Sequence, residues 1–247
     1  MDGAISLLRA GGVLTIDDAL GSGTAAGLLL ETKELLAAGV LRGDTPQSEA
    51  FSKIIYELLP GMLDSYRLIS WLHPTDAHPA LGRAIRAMQF LCFAIGDAEA
   101  APHALAAPRV WPAAGVSLDP HGALLSVNGF NGTRYAWHSD TVRPRRKLTS
   151  IYWPRFEPAW APGAGGELRF VVNGSEVLVA PRADRLIVFS SEMPHEVLVS
   201  RSPRISLTVW GLGVGERAWA PTKTLETEHR CTSDLCRDRS RGRLLGS

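Results

Sequence analysis

Apolar positions along the chain follow two different periods, and the change between them falls near residue 112. Up to there helical spacing dominates: residues 24–40 read as a helix ending near Gly43, and residues 48–59 and 81–95 carry the same period. Pro60, Pro74 and Pro79 punctuate the span between the last two, and residues 12–16 read as one short strand ahead of the first helix. After an Ala- and Pro-rich stretch at 99–112, short runs rich in β-branched residues alternate with Gly, Pro, Asn and Asp clusters. Strands are expected at 123–127, 134–138, 147–153, 167–172, 176–179, 185–190, 196–199 and 204–212. About eight short strands of this kind suggest a jelly roll of the cupin kind, with two sheets packed face to face. The expected class is α+β, mainly β: one domain over residues 1–228, with helical support in 1–112 and a jelly-roll core in 113–215. From Glu228 on, the chain holds five arginines and few apolar residues, so 229–247 is expected to be a disordered tail.

Charge and cysteine usage narrow the partners. Lys plus Arg number 26 against 25 Asp plus Glu, so no global field draws the chain toward nucleic acid or an anionic membrane, and neither is an expected partner. Cys92, Cys231 and Cys236 are too few for a disulfide framework and lack zinc spacing, which fits a reducing compartment. With no signal-like start and no apolar run of about 20 residues, the expectation is a soluble intracellular protein, cytoplasmic or nuclear.

The candidate chemistry lies in Trp137-His138-Ser139-Asp140. On a strand, residues two apart share a face at about 6.6 Å, so His138 and Asp140 could reach one ion. His195, 55 positions after Asp140 and at the mouth of another expected strand, offers a third ligand from across the barrel. Two imidazoles and a carboxylate on one side of a metal leave open positions, the facial arrangement of non-haem Fe(II) oxygenases. The same ligands would also suit zinc, and a bare His-x-Asp pair is a common accident.

Arg204 adds a second requirement. Alternation along residues 204–210 places Arg204, Ser206, Thr208 and Trp210 on one strand face and Ile205, Leu207 and Val209 on the other. An arginine aimed into a barrel calls for an anion, because its forked donors fit a carboxylate and burying it unpaired is costly. The partner could be a dicarboxylate cosubstrate or a protein carboxylate such as Asp184 or Glu196; the alternative is that Arg204 faces solvent.

The run Asn131-Gly132-Thr133-Arg134-Tyr135-Ala136-Trp137-His138-Ser139-Asp140 resembles the prolyl 4-hydroxylase family of Fe(II)/2-oxoglutarate oxygenases, most of all its hypoxia-sensing members. Gly165-Gly166-Glu167-Leu168-Arg169-Phe170, Asp184-Arg185-Leu186-Ile187-Val188-Phe189, Pro194-His195-Glu196-Val197 and residues 204–210 extend the resemblance over about 125–211. It implies a double-stranded β-helix, with Fe(II) on His138, Asp140 and His195 and with Arg204 on the distal carboxylate of 2-oxoglutarate, supported by Thr208. These ligands and Arg204 would be the catalytic set. Trp153 would adjoin the cosubstrate, and Asn128, Tyr135, Leu168 and Trp210 would line the pocket. Trp153 and Asn128 replace family tyrosines, whereas Asp140 is intact, unlike the halogenases in which that ligand is lost. Dioxygen and 2-oxoglutarate would be consumed, a prolyl residue of a peptide or protein hydroxylated, and succinate and CO2 released, with ascorbate as an accessory. The alternatives are the same chemistry on a small molecule such as a free amino acid, and a metal-binding cupin-like protein without turnover.

Three other features invite a reading. Gly21-Ser22-Gly23-Thr24 imitates a dinucleotide-binding turn, but no second strand of a βαβ unit follows, so a helix entry is expected. His73-Pro74-Thr75-Asp76-Ala77-His78 holds ligand types on a proline-rich loop without a rigid face. Arg143-Pro144-Arg145-Arg146-Lys147 is either a solvated basic loop or an attractor of acidic substrate, and residues 154–166 form a second candidate lid.

Overall fold

In the computed structural model, which describes residues 2–43, 67–72, 76–100, 116–118, 122–128, 133–142, 146–154 and 159–213, every strand expected beyond residue 112 forms within a residue of its expected bounds. The elements in order are α1 (Asp2–Arg9), β1 (Leu14–Ile16), α2 (Ser22–Ala37), β2 (Arg42–Gly43), β3 (Arg67–Leu72) and α3 (Pro79–Ala100). There follow β4 (Val116–Leu118), β5 (Ala123–Asn128), β6 (Thr133–His138), β7 (Arg146–Trp153), β8 (Leu168–Val172), β9 (Ser175–Val179), β10 (Arg185–Ser190), β11 (His195–Ser200) and β12 (Arg204–Gly213). Among the described residues the larger sheet runs β1-β10-β7-β12-β5-β3-β2, with β4 also on β12, and the smaller runs β6-β11-β8-β9. All the pairings are antiparallel, giving the two facing sheets of a double-stranded β-helix.

The first third of the chain contributes strands as well as helices. Besides the expected β1, the strands β2 and β3 extend the larger sheet, β3 pairing with β5 from Arg67↔Asn128 to Leu72↔Ala123. The short run Arg-Leu-Ile-Ser-Trp-Leu shows no clean alternation and sits among prolines, so β3 depends on its neighbour for its identity rather than on its own pattern. The expected helix at 48–59 and the tail at 229–247, with Cys231 and Cys236, lie outside the described residues.

Alternation sorts the larger sheet into two faces. Leu148 of β7 and Val188 of β10 pack with Leu8, Cys92 and Ile95 of α1 and α3. The register puts Tyr152, Leu207 and Val209 on that same helix-covered face. The opposite face turns inward: Phe189 meets Phe170 of the smaller sheet edge-on, ring centroids 5.0 Å apart. Leu28, Ile85, Met88, Tyr152, Trp153, Phe170 and Leu207 are fully buried, each stabilising the fold by about 1.5–3 kcal/mol relative to exposure. Burial of Cys92 pushes its thiol up to about 12, so this cysteine is a core residue rather than a reactive one.

The two long helices are joined by a buried carboxylate. Glu31 of α2 accepts the backbone N–H groups of Ala80 at 2.8 Å and Leu81 at 2.7 Å, satisfying donors that the first turn of α3 cannot pair internally. Gly27 makes that approach possible, since a Cβ there would stand 2.9 Å from the Ala80 methyl. Gly21, with φ of 81°, precedes α2, and β1 pairs antiparallel with β10, so the glycine-rich turn is a helix entry. Among the described residues no helix is long and apolar enough to cross a membrane. Replacing Glu31 with Ala should destabilise the protein by about 2 kcal/mol, with Glu31→Gln recovering part of the loss, as read from urea unfolding midpoints.

Candidate metal centre

His138 closes β6 and His195 opens β11, and the two are direct partners across the smaller sheet, with ring centroids 4.3 Å apart. Asp140 is not on the strand, as the i, i+2 argument expects; it begins the 3-10 turn Asp140–Val142 just past the strand's end. Its backbone N–H donates to the Ser191 carbonyl at 2.9 Å, a tie to the segment following β10 that brings the carboxylate back over the histidines. Ligand atoms of His138, Asp140 and His195 all lie within 4.8 Å of one another, a group able to hold a metal ion.

Each ligand is oriented through its other polar atom. Nδ1 of His138 lies 2.8 Å from the Ala136 carbonyl and Nδ1 of His195 lies 3.0 Å from the Met193 carbonyl. A carbonyl only accepts, so each Nδ1 carries the proton and each Nε2 keeps a lone pair for a metal. On Asp140, Oδ2 accepts from the Thr149 hydroxyl at 2.7 Å and from Trp210 Nε1 at 3.1 Å. That leaves Oδ1 directed at His138, 3.6 Å from its Nε2. Thr149 is in turn 2.9 Å from the Ser191 hydroxyl.

The electrostatics suit a cation. Burial alone would raise the Asp140 carboxyl, but His138, the charge of His195 and the Thr149 hydroxyl outweigh it and hold the group well below the usual carboxylate range. Burial pushes His195 down to about 4 despite the nearby Asp140, so its ring is neutral at physiological pH, the form that ligates metals. Phe189 and Phe170 flank that ring at 4.8 and 5.8 Å.

Arg204 stands deeper on the inner face of β12, opposite Asn128 of β5. Its Nη1 donates to the Gly166 carbonyl at 3.0 Å. In the amide orientation that satisfies both groups, the Asn128 oxygen accepts from Arg204 Nε at 3.1 Å and Nη2 at 2.8 Å. The two protein carboxylates considered as partners are engaged elsewhere: Asp184 accepts from Tyr152 Oη and the Leu20 N–H, both at 2.9 Å, and Glu196 pairs with Arg169. Ser206, Thr208 and Trp210 share the Arg204 face, Thr208 lying beside Ile151 and Leu124. Trp153 is wholly buried on β7, and its Nε1 has no hydrogen-bond partner among the described residues.

The remaining expected residues fall around this centre. Tyr135 meets the His138 ring edge-on at 4.2 Å, and Leu168 is buried next to Val197 in the smaller sheet. Of the basic run, residues 143–145 lie outside the described residues; Arg146 is buried with its guanidinium 3.7 Å over the Trp210 ring, and exposed Lys147 pairs with Glu192. His73 likewise lies outside them, as do residues 155–158 of the second loop. Sequence reasoning misses Thr149, Ser191 and Trp160. Thr149 leaves one trace, a hydroxyl at an inward position of an apolar strand, whereas Ser191 and Trp160, whose Nε1 donates to the Gly165 carbonyl at 2.9 Å, act through contacts that no spacing rule marks.

The family model described as 2OG-Fe(II) oxygenase superfamily matches residues 124–211. A hypoxia-inducible factor prolyl hydroxylase of Caenorhabditis elegans is 36% identical over 116 residues, 45% of this chain and 16% of that protein. Human prolyl hydroxylase EGLN3 is 38% identical over 122 residues, 45% of this chain and 50% of that protein. The chain thus spans half or less of the curated relatives it matches. In fold it is similar to a Pseudomonas putida prolyl-4-hydroxylase, with TM-score 0.61, 24% identity and coverage of 85% of this chain and 97% of that one. A Trichoplax adhaerens prolyl hydroxylase, solved with a peptide fragment of the hypoxia inducible factor oxygen degradation domain, gives TM-score 0.62 at 20% identity, covering 85% and 87%. If Thr149 orients Asp140 as the distances indicate, Thr149→Val should weaken divalent-metal affinity by roughly 10- to 100-fold, measured by competition with a chromophoric chelator.

Proposed function

We propose that this chain, which across residues 124–211 belongs to the 2OG-Fe(II) oxygenase superfamily, is a 2-oxoglutarate-dependent dioxygenase that hydroxylates a prolyl residue in a peptide or protein. The observation that carries the reading is the orientation of the three ligands: both Nδ1 atoms and Asp140 Oδ2 are bonded to protein, so Nε2, Nε2 and Oδ1 face a common point. Two neutral imidazoles and one carboxylate suit Fe(II) and leave positions for other ligands. When bound, Fe(II) would supply the oxidative chemistry, in which dioxygen and 2-oxoglutarate become succinate, CO2 and the hydroxyl oxygen of the product.

The protein's own share is placement. His138, Asp140 and His195 would hold the metal at the open end of the two sheets, while Arg204 would receive the distal carboxylate, with Thr208 beside it on the same face. Trp210, anchored to Asp140, and Tyr135, against His138, would border the substrate side of the metal. The buried aromatic and aliphatic side chains behind them, Phe170, Phe189, Leu168 and Ile151, exclude water from the site. Prolyl specificity is supported by the kinship with prolyl hydroxylases, and ascorbate would act as an accessory reductant.

With Fe(II), 2-oxoglutarate, air and proline-containing peptides, the protein should produce succinate and add one oxygen atom to a peptide, both read by mass spectrometry. His138→Ala should reduce succinate to background. Arg204→Lys, which keeps the charge but loses the fork, should raise KM for 2-oxoglutarate by about tenfold or more. Unchanged succinate formation in His138→Ala would sink this reading.

A further inference from the structure

The outer face of the smaller sheet carries a cluster of side chains that stands back to back with the metal ligands. Phe170 and His195 turn inward, so alternation sends their neighbours Arg169 and Glu196, which are cross-strand partners, to the opposite side. There Arg169 of β8 pairs with Glu196 of β11 and donates from Nη1 to Glu176 Oε2 of β9 at 3.3 Å. Its guanidinium carbon also stands 5.6 Å from the centre of the Trp137 ring on β6, two strands away. One side chain thus spans β9, β8, β11 and β6.

The strand it reaches is irregular at the point of contact. His195 pairs with His138, but two positions further along β11 Val197 pairs with Tyr135, three positions back on β6. Ala136 and Trp137 therefore both oppose Glu196, a bulge that leads directly into the ligand His138. This irregularity bears on the metal because the Ala136 carbonyl accepts from His138 Nδ1 at 2.8 Å and so decides where Nε2 points. A bulge interrupts the ladder locally, and the spacing of the two histidines then calls for a constraint besides main-chain pairing.

We propose that Arg169 is a positioning residue for the metal centre: from the outer face it clamps the bulged end of β6 to β11 through Trp137 and Glu196, and so fixes His138 relative to His195. The inference goes beyond the oxygenase reading and rests on one part of it, that the three ligands hold a metal. A flat guanidinium suits the role, because it stacks on the indole while its edge donates to a carboxylate, which an ammonium cannot do together. The Arg169 side chain is 39% exposed, so its ion pairs contribute little to global stability, and what it holds is local geometry. Charge gives the proposal a sign. Arg169 is a positive group behind a cation site, and by Coulomb repulsion alone its removal would tighten metal binding, whereas loss of the clamp would weaken it.

The test uses Co(II) as the probe, with affinity read by titration calorimetry, coordination by the visible absorption band, and stability by the melting temperature of the metal-free protein. Arg169→Ala should bind Co(II) about tenfold more weakly with a shifted band, yet melt within a few degrees of the wild type. Trp137→Leu should lose as much, while Trp137→Phe, which keeps a ring under the guanidinium, should retain most of the affinity. Combining Arg169→Ala with Trp137→Leu should cost no more than either alone, since both remove one contact. Unchanged or tighter binding by Arg169→Ala would overturn the proposal, as would losses that add in the double variant or a loss that merely follows a collapse in melting temperature. Should Arg169→Ala fail to fold, Arg169→Lys is read instead, with a several-fold loss expected and wild-type affinity counting against the clamp. Wild-type protein that binds no Co(II) would defeat the metal centre and the oxygenase reading with it, a result distinct from variants that bind as the wild type does.

Discussion

The Asp140 carboxylate and its backbone N–H tie together elements from both sheets at the end of the barrel where the histidines lie. The residue leaves β6 of the smaller sheet, yet its N–H reaches the Ser191 carbonyl after β10, and its Oδ2 is held by Thr149 of β7 and Trp210 of β12. Three strands of the larger sheet therefore define where one carboxylate of the smaller sheet's turn can be. Because the group is buried, its charge is maintained by the two imidazoles and the Thr149 hydroxyl, and removing them would raise its pKa. The same few hydrogen bonds thus join the two sheets at this end and set the position of the carboxylate.

What the chain reveals by itself follows the locality of each signal. The strand from Arg204 was legible to its first residue because its alternation separates Ile205, Leu207 and Val209 from Arg204, Ser206 and Thr208 without exception. A bare His-x-Asp pair is a common accident, so His138 and His195 were legible only together with Arg204 and the motifs around them, and their pairing across β6 and β11 follows once the strands are placed. Asp140 was identified for an incorrect geometric reason: the i, i+2 rule presumes that the strand continues, whereas the chain turns after His138. Partners distant in sequence left no periodic trace, as with Thr149 and Ser191, 42 positions apart, and with β3, whose pairing with β5 rather than its own composition makes it a strand. Propensity acts over a few residues, and these contacts do not.

Arg204 illustrates how backbone geometry serves a charged side chain. The Gly165-Gly166 turn takes positive φ at both residues and packs so closely on β11 that a Cβ at Gly165 would collide with the Val199 carbonyl and one at Gly166 would crowd Ser200; from there the Gly166 carbonyl accepts from Arg204. Trp160 secures the turn through Gly165, so an exposed loop and a buried cation are linked by two hydrogen bonds. Asp184, a carboxylate the sequence offers as a partner for Arg204, instead joins Tyr152 of β7 to Leu20, just ahead of α2.

The histidine tautomers are set by carbonyl groups two residues earlier, at Ala136 and Met193, rather than by neighbouring side chains. Main-chain atoms persist through every substitution that preserves the strand. Substitutions in the surrounding pocket can therefore occur without disturbing the imidazole tautomers. Side chains around the centre are thus free to vary while the geometry of the two imidazoles is carried by the backbone itself.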